Sequence, residues 1–508
     1  MDKIAILDFG GQYCHLISRR VRDMGVYAEV FPAEAKAARL RERSDIAGII
    51  LSGGARSVYE KNAPKFDKKI LDLGIPVLGI CYGHQLIAHV LGGKVTPGRT
   101  GEYGLTSLKV SQPKNILKGL RKREPVWMNH KDAVLKLPTS FEVLAATDKV
   151  PIAAFAWPAR DIFGVQFHPE VSHTERGEKI LEAFVFGVCK AKPSWTAKSL
   201  ARDIPAEARK AIGKRRAIIG LSGGIDSSVA AILTSKAIGK RLTAVYVDTG
   251  LMRQGETDYI RKAFRNSRLG LKIVDASQEF FQALKGVRSP ERKRKIIGGL
   301  FVDIFTREAR REKAEVLIQG TIYSDRIESG STQHSSVIKS HHNVGGLPKK
   351  FGLDLYEPLK DLYKDEVREL ARALRLPKRI QERQVFPGPG LAIRIIGEVT
   401  PKRAEIVRQA SAIVEEELLR AKIWPEIWMS FAVLLPIKSV GIQGDARSYK
   451  YPVAVRIIQS RDAMTANFAK IPWDVLEIIS KRITNEISDV NRVVYDITNK
   501  PPATMEWE

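Results

Sequence analysis

The sequence predicts an α/β protein with two doubly wound α/β domains, followed by a small α+β domain. Two observations predict this fold class. Short apolar runs alternate with amphipathic stretches over most of the chain, and this pattern changes after a Pro/Gly-rich break at residues 386–390. The length of 508 residues is enough for about three domains, each large enough to bury its own core.

The first domain is predicted over residues 1–190, where strand-like and helix-like stretches alternate as in a parallel sheet. Its strand candidates are Ile4–Phe9, Gly48–Leu51, Pro76–Ile80 and Ile162–Gln166. The polar and basic residues 191–214 predict a linker that contains one short helix.

A second α/β pattern predicts a domain over residues 215–389. Its strand candidates are Ala217–Leu221, Leu242–Val247, Leu271–Val274 and Val316–Gln319. The periodicity is lost over residues 325–352, which are rich in Gly, Ser and His, and a loop of this length is typical of a functional lid or a disordered segment. Charged helices and β-rich runs over residues 390–508 predict the α+β domain.

The composition excludes several classes of protein. A hydrophobic content of 44% and the lack of any long apolar run in the sequence exclude a disordered chain and a membrane protein. Three cysteines are too few for a disulfide framework, so we expect a cytoplasmic protein. The net charge is +26, and most of the excess lies in residues 191–390, which indicates an anionic ligand for this region.

Gly79, Cys81 and Gly83 lie at the junction of a predicted strand and a predicted helix. A sharp turn with Gly two positions to either side would expose the central side chain at the carboxyl edge of the sheet. The helix N-terminus would favour the reactive thiolate, and the N–H of Tyr82 would donate to an oxyanion. The same residues also fit a small buried cysteine without a catalytic role.

A cysteine nucleophile needs a base and a group that orients the base. His168 and Glu170 follow another predicted strand and supply both, with Pro169 fixing the backbone between them. A His-Pro-Glu turn without catalytic function is the alternative. Together with the motifs at 8–13 and 52–59, this arrangement resembles the class I glutamine amidotransferases over the whole of residues 1–190.

The resemblance implies that Cys81 is the nucleophile, that His168 is the base and that Glu170 is the acid that orients it. It also implies residues that bind glutamine or stabilise its oxyanion, namely Gly54, Tyr82, Gln85 and His130. Asn129 and Lys131, on either side of His130, differ from the Ser and Gly that are usual in this family.

Residues 218–228 predict a strand, a Gly/Ser-rich turn and a helix that starts near Ser228. Backbone N–H groups at a helix N-terminus suit a phosphate or pyrophosphate, but no Lys follows the glycines, so the turn is not a Walker A loop. Asp226 would be unfavourable in an anion site unless it meets a cation, which predicts Mg²⁺ carried by a nucleotide.

This turn resembles the pyrophosphatase loop of the ATP-pyrophosphatase superfamily, whose fold is of the adenine-nucleotide α-hydrolase type. Members use ATP as a co-substrate, cleave it between the α and β phosphates and adenylate an oxygen of a second substrate. The resemblance implies a set of ATP- and pyrophosphate-binding residues: Ser222, Gly223, Gly224, Ile225, Asp226, Ser227, Ser228 and Val247. Asp226 is the implied metal ligand.

The irregular stretch contains Lys339, His341 and His342, and its hinge glycines favour a lid that closes over phosphates rather than a zinc site. The tail at 500–508 contains two prolines and a tryptophan, so we expect it to dock beside a ligand instead of fraying. We also expect that removing the tail abolishes turnover of the acceptor nucleotide but spares the fold.

Both halves, the lid and the tail together resemble the glutamine-fed synthetases that aminate the purine nucleotide XMP. This resemblance implies glutamine, ATP and XMP as substrates, an adenylyl-XMP intermediate, and a homodimer formed through the C-terminal domain. The implied contacts to XMP are Arg294, Asp365, Gln443, Lys500, Met505 and Glu506. Gln384 and Val385 stand where this family tends to have His and Pro.

Two other functions fit parts of the sequence. The positive middle region and the pyrophosphatase loop also suit a tRNA-modifying enzyme, and the folds alone would suit a non-catalytic scaffold. The glutamine half, the tail and the lack of a cysteine in the middle domain speak against the first. The intact set of Cys81, His168, Glu170 and Asp226 speaks against the second. We therefore expect neither a nucleic acid nor a membrane as a partner.

Overall fold

The computed structural model describes residues 1–265, 267, 269–323, 325, 352–443, 445–460 and 465–508, without the side chains of 98–100 and 443. The lid residues Lys339, His341 and His342 lie outside the described residues. The chain divides into two compact units, residues 1–199 and residues 200–508. We describe each unit by itself.

The first unit contains a nine-stranded mixed sheet. Its strands are β1 (Lys3–Phe9), β2 (Tyr27–Pro32), β3 (Ile46–Gly54), β4 (Val77–Ile80), β5 (Lys94–Val110), β6 (Arg123–Lys136), β7 (Glu142–Ala146), β8 (Ala154–Trp157) and β9 (Ile162–Val165). The strand order is β2-β1-β3-β4-β9-β8-β7-β5-β6. The pairs among β1, β2, β3, β4 and β9 are parallel, and the pairs from β9 to β6 are antiparallel.

Helices cover the parallel half of this sheet: α1 (Cys14–Asp23), α2 (Ala37–Arg41), α3 (Tyr82–Val90) and α4 (Gly177–Glu182). Apolar side chains form two hydrophobic clusters, which draw alternately on the residues of β1 and β3 because successive side chains point to opposite faces. The predicted parallel strands are confirmed to within a few residues. The long antiparallel strands β5 and β6 were not predicted.

The helix that was predicted as a short linker element is longer than expected. It is α5 (Ala197–Ile212), which has 16 residues and contains Pro205. Its apolar side chains recur on one face, and Leu200, Ile204, Ala208 and Ile212 are buried. An amphipathic helix of this length packs on a core, so only the residues before it are extended linker.

The second unit contains a parallel sheet, which among the described residues has the order β12-β11-β10-β13-β14. Its strands are β10 (Ala217–Gly220), β11 (Leu242–Asp248), β12 (Gly270–Asp275), β13 (Val316–Ile318) and β14 (Asp354–Tyr356). The helices between and after them are α6 (Ile225–Ile238), α7 (Glu256–Phe264), α8 (Ser277–Ala283), α9 (Pro290–Arg311), α10 (Lys364–Ala373) and α11 (Lys378–Gln381). α6 begins three residues before the predicted start.

A second sheet of this unit is centred on a long strand, β17 (Ala446–Gln459), which pairs with the other strands of that sheet. These are β15 (Met429–Leu434), β16 (Ser439–Gln443), β18 (Asn467–Phe468) and β19 (Val490–Tyr495), and the helices are α12 (Pro401–Arg420) and α13 (Trp473–Glu486). One hydrophobic cluster includes Ile218 of β10 and Val455 of β17. Residues on both sides of position 390 therefore share a core, and the boundary there stays a prediction.

Among the described residues, no helix is long and apolar enough to cross a bilayer.

Candidate active sites

The backbone at Cys81 forms a strained elbow between β4 and α3. Cys81 has a φ of 53°, in the region that L-residues rarely adopt. A Cβ at Gly79 would lie 2.5 Å from the carbonyl of Gly83, and a Cβ at Gly83 would lie 2.3 Å from the carbonyl of Leu51. The sharp turn that the sequence predicted is therefore present, and these close contacts require Gly at both positions.

Cys81, His168 and Glu170 lie together at the carboxyl ends of β4 and β9. The Nδ1 atom of His168 lies 2.7 Å from Oε1 of Glu170, and both side chains are buried. A Cβ at Gly53 would lie 3.3 Å from Cε1 of His168 and 3.8 Å from Cβ of Cys81, so Gly53 faces both side chains. Tyr13 packs edge-on against the His168 ring, with centroids 4.9 Å apart.

The His168 ring is held in its protonated form. Burial lowers the pKa of His168, but the charge of Glu170, the hydrogen bond to Glu170 and the neighbouring Cys81 outweigh burial and raise it to about 11. An imidazolium beside a cysteine favours a thiolate, which is the nucleophilic form of the sulfur.

The residues expected to contact glutamine lie around this triad. Gly54 lies against the Tyr82 ring, because a Cβ added to it would lie 3.1 Å from Cγ of Tyr82. Burial raises the pKa of Tyr82 to about 12. Gln85 uses its side-chain N–H groups inside the protein: Nε2 donates to the carbonyl of Asp132 (2.9 Å) and to Oε1 of Gln166 (3.1 Å).

Both ring nitrogens of His130 also contact other residues of the first unit. Its Nδ1 atom lies 2.8 Å from the carbonyl oxygen of Asp132, and its Nε2 atom lies 3.2 Å from Oε2 of Glu102. Glu102 in turn accepts a hydrogen bond from Thr147. Asn129, which differs from the residue usual in the family, contacts Cys81 through its backbone: its carbonyl oxygen lies 3.6 Å from the Cys81 sulfur. Lys131 is exposed.

The Gly/Ser-rich turn lies at the carboxyl end of β10 and leads into the N-terminus of α6. Gly223 has a φ of +74°, and a Cβ there would lie 2.4 Å from Nη1 of Arg383. The hydroxyls of Ser222 and Ser227 lie 3.0 Å apart, and Ser228 donates to the carbonyl of Gly224. Ile225 begins the helix, and Val247 is buried near the end of the adjacent strand β11.

Asp226 lies in the first turn of α6 and forms an ion pair with Lys364, whose Nζ lies 2.6 Å from Oδ2 of Asp226. The other oxygen of Asp226, Oδ1, is buried without a partner among the described residues. Within the described part of the chain no three or more His, Cys, Asp or Glu side chains form a metal site. One carboxylate is nevertheless a fitting protein ligand for Mg²⁺, because phosphates and water usually supply the rest of its coordination.

Arg383 is a half-buried cation next to the Gly/Ser-rich turn, and the sequence analysis missed it. Its Nη1 atom donates to the carbonyl of Gly223 (2.8 Å) and lies 2.5 Å from Oε1 of Glu256. Its neighbour Gln384 accepts hydrogen bonds from the backbone N–H and hydroxyl of Ser430. The departure from His at position 384 is thus accommodated by a side-chain amide that joins two segments.

The C-terminal tail is docked, as the sequence predicted. Arg394 and Arg456 are buried arginines that bind it: Arg394 pairs with Glu506, and Arg456 donates to the carbonyls of Thr504 (2.7 Å) and Met505 (3.1 Å). Lys293 is fully buried and pairs with Glu508. Removing the tail would take the carboxylate partners from Arg394 and Lys293, whereas Arg456 would keep its ion pair with Asp496. The loss of two buried ion pairs should lower stability, and the expectation that truncation spares the fold stays a prediction.

The residues expected to bind XMP are distributed around this tail. Arg294 donates to the main-chain oxygen of Glu508, and Met505 packs against the cluster that contains Met429 and Phe431. Lys500 pairs through its backbone with Ala466. Asp365 is in the first turn of α10, next to Lys364, and Gln443 is the last residue of β16. The structure brings Arg294, Met505 and Glu506 to one region, and Asp365 lies on the side of the Gly/Ser-rich turn.

Gln166, Lys364, Arg383 and Arg394 are the site residues that the sequence analysis missed. Each lies close to a predicted residue in space, and Arg383 and Arg394 also flank the Pro/Gly-rich break at residues 386–390. Gln166 immediately precedes the Phe-His-Pro-Glu motif, and Lys364 immediately precedes Asp365. Their neighbours in sequence were therefore the available signal.

Three protein families match parts of the chain. Residues 5–188 match glutamine amidotransferase class-I, residues 202–278 match NAD synthase, and residues 416–507 match the GMP synthase C terminal domain. These matches cover the Cys81 elbow, the Gly/Ser-rich turn and the tail.

Curated relatives match over the full length. A protein of Symbiobacterium thermophilum named GMP synthase [glutamine-hydrolyzing] is 49% identical over 100% of this chain and 99% of its own. Proteins of the same name from Caldanaerobacter subterraneus subsp. tengcongensis and Limosilactobacillus reuteri are 50% and 51% identical, over 100% of this chain and 99% and 98% of theirs.

Proposed function

The chain belongs to the family of glutamine-hydrolysing GMP synthases, which are glutamine-dependent ligases, and on that premise we propose how its residues divide the reaction. The first unit releases ammonia from glutamine at Cys81. The second unit uses ATP to activate XMP, and ammonia then replaces the activated oxygen to give GMP. The observation that carries this proposal is the triad geometry at Cys81, in a chain that also contains the Gly/Ser-rich turn with Asp226.

At the glutamine site, the Cys81 sulfur attacks the side-chain carbonyl carbon of glutamine. The C–N bond breaks, a proton from His168 leaves with the nitrogen as ammonia, and a thioester remains on Cys81. Water then hydrolyses the thioester to glutamate and restores the thiol. The backbone N–H groups of Gly54 and Tyr82 are the proposed donors to the oxyanion, and Glu170 keeps the His168 ring oriented.

At the second site, the turn at residues 222–228 is proposed to bind the phosphates of ATP. Its position at the N-terminus of α6 supports this role, because the helix dipole and free N–H groups favour an anion. An oxygen of XMP attacks the α-phosphorus, which gives adenylyl-XMP and pyrophosphate, and ammonia displaces AMP. Val247, buried at the carboxyl end of β11, is proposed to contact the adenosine.

Mg²⁺ is proposed as the cofactor at Asp226. The buried, unpaired Oδ1 of Asp226 supports this proposal, since a carboxylate oxygen without a partner costs stability unless a cation meets it. When bound, Mg²⁺ neutralises charge on the phosphates and stabilises the leaving pyrophosphate.

XMP is proposed to bind near the docked tail, through Arg294, Asp365, Gln443, Lys500, Met505 and Glu506. Lys339, His341 and His342 are proposed to close over the phosphates, although they lie outside the described residues. The full-length relatives favour this reaction over the tRNA-modifying alternative.

A homodimer through residues 390–508 is also proposed. Exposed apolar side chains on one face of the β16–β17 hairpin support it: Val440, Ile442 and Tyr449 are 45%, 79% and 59% exposed. Val440 and Ile442 are two apart on β16, and Tyr449 lies directly opposite Val440 in register. An exposed apolar patch of this kind is typical of a protein interface.

The test of this proposal is the Cys81→Ala variant, assayed with XMP, Mg-ATP and either glutamine or ammonium. We expect glutamine-dependent formation of GMP, AMP and pyrophosphate to be abolished, and ammonium-dependent formation to persist at the wild-type rate. Equal loss of both activities in a folded variant would contradict the assignment of two sites. The control is Cys189→Ala, which changes a cysteine outside the proposed site.

A further inference from the structure

Gln166 is a buried glutamine whose side chain contacts the proposed nucleophile. It directly follows β9 and has no exposed surface. Its Nε2 atom lies 3.7 Å from the Cys81 sulfur and donates toward it. Its backbone N–H donates to the carbonyl of Ala153 (2.8 Å), which fixes the start of the side chain. The triad and the oxyanion donors proposed above do not include this residue.

The neighbours of Gln166 decide which end of its amide faces the sulfur. Gln85 lies 2.9 Å from the carbonyl oxygen of Asp132, and a carbonyl oxygen can only accept, so Gln85 must present its NH₂ group there. The same NH₂ group lies 3.1 Å from Gln166 and needs an acceptor, which must be Oε1 of Gln166. The NH₂ group of Gln166 is therefore the end that faces Cys81.

The Cys81 sulfur has one contact that suits the thiol and another that suits the thiolate. The carbonyl oxygen of Asn129, at 3.6 Å, can only accept a hydrogen bond and so needs an S–H. The NH₂ group of Gln166 can donate to a sulfur lone pair. When the thiol loses its proton, the first contact is lost and the second becomes stronger, because hydrogen bonds to a charged acceptor are stronger than neutral ones.

The charges around the contact between Gln166 and Cys81 also favour a thiolate. His168 faces the sulfur as an imidazolium, which supplies the positive partner of a thiolate. Burial and the neighbouring His130 lower the pKa of His84 to about 3, so His84 is neutral and does not compete as a cation. Both carboxylate oxygens of Glu102 have other partners, namely His130 and Thr147.

We propose that Gln166 is a catalytic residue of the glutamine-hydrolysing site: its side-chain N–H stabilises the Cys81 thiolate, and Gln85 is the positioning residue that holds its amide in that orientation. This proposal rests on Cys81 being the nucleophile, as assigned under the proposed function. It also gives Gln85 a positioning role, because both hydrogen bonds that its NH₂ group donates stay within the protein.

The test measures the thiolate directly, through the rate at which iodoacetamide alkylates Cys81 in the full chain. Peptide mass analysis distinguishes Cys81 from Cys14 and Cys189, and Cys81→Ser gives the background. The variants are Gln166→Leu and Gln166→Met, two apolar side chains of different shape that cannot donate. Gln112→Leu is the matched control, because Gln112 also donates a hydrogen bond from Nε2 in the first unit, but to the backbone carbonyl of Val143.

We expect both Gln166 variants to slow alkylation at pH 7.5 by roughly tenfold to a hundredfold, the range for losing a hydrogen bond to a charged group. Glutamine-dependent kcat should fall by a similar factor with little change in KM, and ammonium-dependent GMP formation should be unchanged. Gln85→Leu should slow alkylation by less, since Gln166 can then rotate but keeps its N–H. The control Gln112→Leu should behave as wild type.

Two results would overturn the proposal. One is alkylation of Cys81 at the wild-type rate in both Gln166 variants. The other is a rise in the KM for glutamine with kcat unchanged, which would make Gln166 a packing residue of the glutamine pocket. A failure of the proposed function would look different: alkylation of Cys81 in the wild-type protein would then leave glutamine-dependent GMP formation intact.

Discussion

Arg394 holds the carboxylate of Glu506 through two parallel hydrogen bonds, 3.0 Å from Nε to Oε2 and 2.8 Å from Nη2 to Oε1. The side chains of the two residues are only 2% and 13% exposed. The guanidinium also stacks on Phe431, 4.1 Å from the ring centroid. A bidentate pair in this setting fixes both the position and the orientation of a carboxylate that we propose to contact XMP.

Arg394→Met should therefore destabilise the second unit, because it leaves the Glu506 charge buried without its partner. The expected loss is about 3–5 kcal/mol in the free energy of unfolding. It should also raise the KM for XMP in the ammonium-dependent assay. Calorimetric unfolding and steady-state kinetics measure the two effects. The double variant Arg394→Met with Glu506→Met should recover much of the stability but not the KM, and a destabilised double variant would argue against this account.

The pKa of His168 predicts how the stability of the first unit depends on pH. The pKa is raised from its usual 6.5 to about 11, so folding favours the protonated ring. The resulting stabilisation is fully present below about pH 6.5 and is lost as the pH rises towards 11. Between pH 7 and 9, the unfolding free energy of wild type should fall faster than that of His168→Gln, by up to about 1.4 kcal/mol per pH unit. Parallel curves for the two proteins would refute this prediction.

Glu170→Gln should reduce glutamine-dependent activity by about 10²–10⁴-fold, the range for removing the group that orients a catalytic histidine. The amide keeps the size of the carboxyl but lacks the charge that raises the pKa of His168. Ammonium-dependent GMP formation is the internal control and should not change. Glutamate release without XMP measures the first unit alone. If the variant released glutamate at the wild-type rate, Glu170 would not be a member of the triad.

Asp226→Asn should abolish formation of AMP and pyrophosphate, with a loss of about a hundredfold or more, because the proposed metal ligand and its charge are removed. Hydrolysis of glutamine in the first unit should persist. Pyrophosphate release and glutamate release measure the two activities separately. Since Lys364 loses its ionic partner in this variant, Lys364→Met serves as the matched change on the other side of the pair. Normal pyrophosphate release by Asp226→Asn would exclude Asp226 as a metal ligand.

Ile442→Lys should weaken self-association, since it places a charge in the centre of the apolar face formed with Val440 and Tyr449. Sedimentation velocity over a range of concentrations measures the effect. Leu105→Lys is the matched control, because Leu105 is a similarly exposed apolar residue on β5 of the first unit. A dimer that withstands both Ile442→Lys and Tyr449→Lys would place the interface elsewhere.

The sequence predicted the features in which neighbouring residues determine the geometry. Gly79, Cys81 and Gly83 specify the elbow because strand, turn and helix follow directly in the chain. His168 and Glu170 meet for the same reason. The parallel strands were predictable since their apolar runs are short and continuous.

Contacts between distant segments could not be predicted in the same way. Gln166 meets Cys81 across 85 positions, and Arg394 meets Glu506 across 112. Such pairs depend on how strands are ordered and how the tail is packed, which local patterns do not specify. Strand β5 was missed because Pro97 and its glycines interrupt the alternation that usually indicates a strand.

The positive φ at Cys81 means that folding and catalysis favour different residues at this position. A β-carbon in this conformation costs on the order of 1–3 kcal/mol, and glycine would avoid that cost. A variant with Gly at position 81 could therefore gain thermal stability as it loses the nucleophile. Screens that select for heat resistance alone would enrich such inactive variants. A screen for stabilised variants of this enzyme therefore needs glutamine hydrolysis as a second criterion.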